Sequence, residues 1–305
     1  MSKYKKRSAP SAKKLYANDY CMIWSVMAIN IIALAVFYVY TNFSSIFMAF
    51  EEETETGIKY SFFNFKYIFD EIANPVSQIR ISIKNTLTFF VVSLLITMPL
   101  TYITAFFIYK KVPGYKVHQF IFFLPAVVSP VIMTSFFKFF LYPDGPVSQL
   151  WSIIFGTKAP IFFANSDWAM KVIVFYVVWS SIGPGILMYV ASMTRIPEAI
   201  LESAKMEGVT FWQEVIYFII PLTWPFVSTM LFLSLCGIMS ASGPILLFTQ
   251  GAANTSDLGY WMYINTVAEA QQPRAAALGL LMTAVNMPIA LTFRKLANKV
   301  EDVTY

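Results

Sequence analysis

Six stretches of this 305-residue chain are so long and so poor in charge that each could disappear into lipid: residues 22–50, 83–109, 120–141, 170–193, 222–248 and 275–293. A helix needs about 20 mostly apolar residues to cross about 30 Å of hydrocarbon. Lipid offers the backbone no hydrogen bonds, so runs of this length are expected as helices. Composition agrees: 57% of the residues are hydrophobic and 13% charged, against about 25% charged in soluble domains. The expected fold is all-α and polytopic, with six transmembrane helices in residues 22–293, between a basic tail at 1–21 and a second tail at 294–305. The first run is too long for a cleaved leader, and no small-residue cleavage site precedes "EEETE".

Orientation follows from lysines and arginines near the span ends. If the N-terminus is cytoplasmic, the inner segments hold Lys3, Lys5, Lys6, Arg7, Lys13 and Lys14, then Lys110, Lys111 and Lys116. Arg195, Lys205, Arg294, Lys295 and Lys299 fall on the same side, while Glu51, Glu52, Glu53 and Glu55 fall outside. Both termini and the segment 195–221 are therefore expected in the cytoplasm of a prokaryotic cell. The net charge of +5 encodes this orientation, and no nucleic-acid partner is expected. Outside lie 51–82, the stretch from "LYPDGPVSQLW" to "FFANSDW" with Trp151 and Trp168 as interfacial anchors, and the Gly/Asn/Ser/Thr-rich loop "TQGAANTSDLGYW". Cys21 and Cys236 have no metal-ligand spacing and read as small buried hydrophobes. The single His118 sits on a basic loop, so no metal site is expected.

Segment 195–221 is polar where its flanks are not: "RIPEAILESAKMEGVTFWQEVIYFIIP" carries Glu198, Glu202, Glu207, Glu214 and Lys205. Pro197 suits a first helical turn, and Glu198 complements the positive end of the helix dipole. Glu202 and Lys205 are spaced to pair on one face. Gly208 is the residue type that ends helices in a left-handed conformation. Thr210 with Gln213 forms a capping box for a second helix, which runs to Pro221. The expected object is a stiff helix–turn–helix at the membrane face, with Phe211, Trp212 and Ile216 available for packing. The alternative is a well-capped surface loop.

The run "ESAKMEG", Glu202 to Gly208, with "IIP" at Ile219–Pro221, resembles the EAA loop of permease subunits of binding-protein-dependent type I ABC importers. Gly208 stands six residues after Glu202, and Pro221 thirteen after Gly208. Ser203, Phe218 and Ile220 replace the motif's Ala, Ile and Leu. "FLPAVVSPVIMTSFFKFFLYPDGPVSQLW", "FTQGAANTSD" and "RAAALGLLMTAVN" are similar to regions of sugar and glycerol-phosphate importer permeases. The resemblance implies that a helix carrying Glu198, Glu202, Ser203, Ala204, Glu207 and Gly208, followed by Pro221, docks on a separate ATP-hydrolysing subunit. It also implies a second permease, an ATPase dimer and an extracytoplasmic solute-binding protein. No GxxxxGK[ST] segment is present; no cofactor is expected on this chain, and ATP and magnesium would sit on the ATPase.

A solute path is less sharply written. Thr86, Ser93, Thr97, Thr101 and Thr104 form a stripe, read as helix packing. "WSSIGPG", with Trp179, Ser180, Ser181 and Gly183, is either a packing kink or a binding discontinuity. Ser234, Gly237 and Ser240 lie on the fifth span. By resemblance to a maltose-importer permease Ser234 matches a sugar-contacting serine, while Ile238 and Ala241 replace two sugar-binding asparagines. No well-placed buried carboxylate is expected in any span, which argues against ion coupling. A carbohydrate importer subunit that is not itself an enzyme is thus expected. The alternatives are an importer of another solute, such as a polyol phosphate or amino-sugar oligomer, a membrane-embedded transferase, or a passive channel.

Overall fold

The computed structural model describes residues 12–54, 57–240 and 242–297, with side chains from Tyr20 onward except that of Cys21. Lys3, Lys5, Lys6, Arg7, Glu55, Ala241 and Lys299, the side chains of Lys13 and Lys14, and the expected burial of Cys21 lie outside the described residues. Among the described residues, five helices are long and apolar enough to cross a bilayer: Met22–Met48, Gln78–Tyr109, Ser166–Met193, Phe211–Cys236 and Gln272–Ala297. A bent pair, Tyr115–Val127 and Pro130–Phe155, makes a sixth. In chain order these are the first to sixth spans, the bent pair being the third. One antiparallel ribbon, Glu51–Thr54 paired with Gly57–Tyr60, is the exception to a helical fold.

The first span shows why this fold needs a bilayer. None of its described side chains is buried between Tyr20 and Met48, and Phe37 is 78% exposed. A helix apolar on every face is stable only when lipid or another chain surrounds it. The other spans pack around three apolar clusters. At the end carrying the helical hairpin 195–221, Tyr102, Phe106, Ile182, Ile186, Tyr189, Met193, Leu201, Val215 and Ile219 form one core. At the far end Ala49, Ile68, Ile79, Leu258, Trp261, Ala277 and Leu278 form another. Phe89, Met133, Ile173, Tyr176, Ile245 and Phe248 form the third.

Two spans differ from their sequence boundaries, and proline or glycine is the cause in each. The expected single helix over 120–141 is instead two limbs bent by 113°. Pro125 lies inside the first limb, and Pro130 drives Ser129 into an extended conformation. The fifth span stops at Cys236 rather than reaching 248. A short turn at Ile238–Ser240 and a separate helix at Ile245–Phe248 follow, because Gly237, Gly243 and Pro244 interrupt the run. Elsewhere the chain absorbs proline without breaking. The widened helical turns Ser93–Thr97 and Val215–Ile219 each end two residues before a proline, Pro99 and Pro221. Proline donates no hydrogen bond and crowds the carbonyl four residues back. Those carbonyls belong to Leu95 and Tyr217, inside the widened turns.

The far-end loop expected from "TQGAANTSDLGYW" is ordered by the second span. Asn85 Nδ2 donates to the carbonyls of Asn254 and Ser256, at 2.8 and 2.7 Å. Ser82 and Ser256 share a hydroxyl bond, and the Leu258 N–H donates to Thr86 Oγ1. Asp257 is fully buried. It accepts from Tyr260 N–H at 2.7 Å, Ser242 Oγ at 2.7 Å and Gly243 N–H at 3.1 Å. One carboxylate thus caps the helix starting at Leu258 and ties down the break after the fifth span.

The glycines of "WSSIGPG" are packing sites in a continuous helix. A Cβ on Gly183 would strike the backbone carbonyl of Phe122 in the third span. A Cβ on Gly185 would lie 2.7 Å from Thr101 Cγ2 on the second. Buried Thr97, Thr101 and Thr104 belong to the same interface, Thr101 and Thr104 bonding their own helix's carbonyls. Gly183→Ala and Gly185→Ala are each expected to destabilise the chain by about 1–3 kcal/mol through overpacking, read as heat-induced loss of monodisperse protein in nanodiscs. Thr101→Ser, which removes Cγ2, should rescue only Gly185→Ala. Phe122→Ala should not rescue Gly183→Ala, because the obstructing atoms are backbone.

Candidate functional site

The helical hairpin begins where the fourth span ends, at Met193. Its first helix, Glu198–Met206, has Pro197 at the cap position rather than within the first turn. The helix is seated by one apolar edge. Leu201 and Ala204 are buried, and Leu201 joins the core that also holds Ile196, Val215 and Ile219. On the outer side Glu198, Glu202, Ser203, Lys205 and Glu207 are exposed, and Met206 is 89% exposed. Ala204, grouped with the outward residues on sequence, therefore belongs to the seat. The expected Glu202–Lys205 pair is not formed; the one ion pair among the described residues is Lys110–Glu214.

The bend is a tight C-terminal cap. Gly208 has φ +78°, its N–H donates to the Lys205 carbonyl, and Val209 N–H donates to Ala204. This is the double-bonded left-handed cap that favours glycine. No atom lies within 4 Å of where a Gly208 Cβ would stand, so a side chain here meets backbone strain and no clash. The second helix starts at Phe211, and Gln213 Oε1 accepts from both the N–H and Oγ1 of Thr210, each at 2.8 Å. Pro221 lies half-buried where the hairpin merges into the fifth span.

Of the three apolar side chains expected to pack the second helix, only Phe211 does. Its ring sits 4.9 Å from that of Phe106 and 5.6 Å from that of Phe107. Trp212 and Ile216 are exposed along an apolar groove between the second and fifth spans, with Leu94, Leu95 and Met98. Glu214 was not singled out for burial by its sequence context. It lies one turn into the helix of the fifth span, is buried, and pairs with Lys110 just past the end of the second. Glu214 lies in the segment 195–221, before the span expected at 222–248, and its buried carboxylate is compensated by Lys110.

The residues expected to line a solute path are not brought together. Trp179 packs among aromatic rings with Phe137 and Tyr176, on an apolar groove that also holds Phe136, Phe140 and Trp168. Ser180 bonds its own helix at Val177, Ser181 is exposed, and Gly183 is sealed against Phe122. Ser240 borders a different groove of roughly 450 Å³ between the fifth and sixth spans, with Cys236, Thr283 and Asn286. Cys236 is exposed there, not buried as expected. Asn286 Nδ2 donates to the Cys236 carbonyl at 2.5 Å, and its Oδ1 is buried without a partner. Ser234 is half-buried on the fifth span and Gly237 ends its helix. Sequence reasoning missed Asn286, Thr283 and Asp257, because each gains its meaning from a distant segment.

This arrangement, a capped helical hairpin set into a multi-pass bundle, recurs in known proteins. A crystal structure of a bacterial ABC transporter involved in the import of the acidic polysaccharide alginate contains a chain that superposes with a TM-score of 0.80 and 25% identity. The superposition covers 97% of this chain and 100% of the other. The chain resembles ABC importer permeases in fold and in sequence. Among curated relatives, the multiple sugar-binding transport system permease protein MsmF of Streptococcus mutans is 24% identical over 290 residues, spanning 91% of this chain and 96% of the relative. The lactose transport system permease protein LacF of Rhizobium radiobacter is 27% identical over 188 residues, 60% of this chain and 63% of that protein, so this chain spans less than two thirds of its length. No family model matches the sequence. These relatives are transport components, and among its described residues this chain has the five or six apolar spans of a multi-pass membrane protein.

Because the space around Gly208 is open, replacements should rank by their tolerance of positive φ. Gly208→Asn is expected to cost least, Gly208→Ala about 1–2 kcal/mol and Gly208→Val more. Hydrogen exchange at the 208 and 209 amides should accelerate in that order, by about 5–30-fold for alanine.

Proposed function

We propose that this permease imports a carbohydrate, most fittingly an oligosaccharide, using ATP hydrolysed on a separate subunit that grips the helical hairpin. The observation that carries this reading is the hairpin itself. A helix seated by Leu201 and Ala204 and closed by Gly208 offers Glu198, Glu202, Ser203 and Glu207 outward. Glu207 stands at the helix C-terminus, where a carboxylate opposes the helix dipole. Local conflicts of this kind collect at functional surfaces. A basic docking cleft on an ATPase would relieve the conflict.

The remaining parts follow from the same reading. The hairpin and both termini face the cytoplasm, and the chain sits in the plasma or inner membrane of a prokaryote. ATP and magnesium bind the ATPase dimer and not this chain. The uncovered first span and the groove at Cys236, Ser240, Thr283 and Asn286 suit contact with a second permease, most simply a different one, with the solute passing between them. Ser240, with Ser234 and Gly237 nearby, supplies the polar wall of that passage. Delivery by an extracytoplasmic binding protein is supported by a related alginate transporter, whose structure was solved with a pentasaccharide-bound periplasmic protein. Transport permeases for lactose and for multiple sugars support the carbohydrate class.

Gly208→Asp tests the reading. The substitution leaves room for the side chain and costs the fold only about 1–2 kcal/mol of backbone strain, yet it places a charge at the bend that a partner must approach. Membrane insertion should be retained while ATP-driven uptake falls to background. Wild-type uptake by this variant, or failure of the wild-type chain to retain any ATPase on purification, would overturn the assignment. Uptake measured solute by solute in cells lacking the gene identifies the cargo.

A further inference from the structure

The hairpin is joined by chain to the fourth and fifth spans, but its firmest side-chain contacts are to the second. Lys110, the residue after that span, pairs with Glu214; their side chains are only 18% and 9% exposed. Lys110 Nζ also lies 5.7 Å from the centroid of the Phe106 ring. One turn deeper, the Phe211 ring lies against both Phe106 and Phe107. Deeper again, Tyr102 and Thr223 share a hydroxyl bond of 2.7 Å. The other end of the same span holds the loop 254–258 through Ser82, Asn85 and Thr86.

A partly buried ion pair differs from apolar packing in what it resists. Greasy contacts can slide past one another at little cost, whereas separating Lys110 from Glu214 leaves two poorly solvated charges uncompensated. The pair therefore fixes the register between the second span and the hairpin. We propose that Lys110 and Glu214 form the strut that makes the second span a connecting rod, delivering movement of the docking helix to the loop 254–258 at the far end. The second span runs 32 residues from Gln78 to Tyr109, a reach of about 48 Å at helical rise. At its far end the loop carries Asp257, which holds Ser242 and Gly243 after the fifth span. Motion of the rod is thereby passed to the break between the fifth span and the helix that follows it. Lys110 and Glu214 are positioning residues, acting on the solute path only through the second span.

This inference rests on the importer reading, and two measurements separate their failures. In the assembled transporter, Lys110→Met and Glu214→Gln are expected to keep ATP hydrolysis within about twofold while uptake per ATP falls at least about tenfold. The charge-swapped pair, Lys110→Glu with Glu214→Lys, should recover at least half of the lost uptake, which a role in stability alone would not predict. Unchanged uptake per ATP in the single variants overturns the strut. The second measurement needs no ATPase: hydrogen exchange of the full chain in lipid nanodiscs. Glu214→Gln should speed exchange across 198–219 and also at 254–258, some 40 Å away by the span's length, while the swapped pair restores both. Acceleration at 198–219 with none at 254–258 overturns the connecting rod, even for a variant that fails to assemble with its partners. If the wild-type chain imports nothing, the importer reading falls and the exchange experiment still decides the strut.

Discussion

The bilayer supplies no hydrogen bonds, and the rest of this structure follows from that constraint. Six spans satisfy their backbones by being helical. Where a span gives up its helical bonds, a side chain from elsewhere takes over. The fifth span ends at Cys236, and Asn286 of the sixth donates to the freed carbonyl. The chain restarts at Gly243, whose N–H is taken by Asp257. Leu258 begins a new helix with its N–H bonded to Thr86 of the second span, while Asn85 claims two loop carbonyls nearby. Asn85, Thr86, Asp257 and Asn286 thus sit where the backbone has been interrupted, and the break after Cys236 sits where glycine and proline force it.

Seen this way, the second span is the polar backbone of the bundle. Its far end carries Ser82, Asn85 and Thr86, its middle the Thr97–Thr101–Thr104 stripe, and its hairpin end Tyr102 and Lys110. The first group bonds a loop, the second admits the fourth span through Gly185, and the third grips the hairpin. By contrast none of the first span's described side chains is buried between Tyr20 and Met48, although its Thr41–Met48 end lies against the sixth span. One span integrates the chain, and another leaves most of its apolar surface to lipid or to another chain.

Much of this was legible in the sequence because it depends on local chemistry. Apolar run length located the spans, and Pro, Gly, Thr and Gln at fixed offsets located the hairpin, its left-handed bend at Gly208 and its second cap at Thr210. What sequence could not supply depends on meetings between distant residues. Lys110 read as a marker of orientation, and Glu214 as a charge near a helix start; only their approach across 104 residues makes either a strut. The stripe of threonines was readable as packing, but its partner, Gly185 of the fourth span, and the separate seat of Gly183 on the third span were not. The third span was misjudged because apolar composition says nothing about bending, and the two prolines flanking "AVVS" outweighed it.

The acidic face of the hairpin poses a physical question that the isolated chain does not answer from within. Leu201 and Ala204 suffice to seat the first helix, so nothing in the bundle requires Glu198, Glu202 and Glu207 to face outward together, nor Met206 to be almost wholly exposed between them. Lys205 in its last turn suits the helix dipole, but Glu207 at the cap opposes it, and Met206 beside them is left uncovered. Carboxylates ringing an exposed, pliable apolar side chain make sense as a surface completed by another protein: the charges steer a basic partner and the methionine fills whatever hollow it presents. The space around Gly208 is open, whereas Gly183 and Gly185 of the fourth span are closed by neighbouring helices. Stability accounts for the inner edge of this helix and, through Glu198 and Lys205 at its two ends, for part of the outer one; Glu202, Met206 and Glu207 have no such role within the bundle.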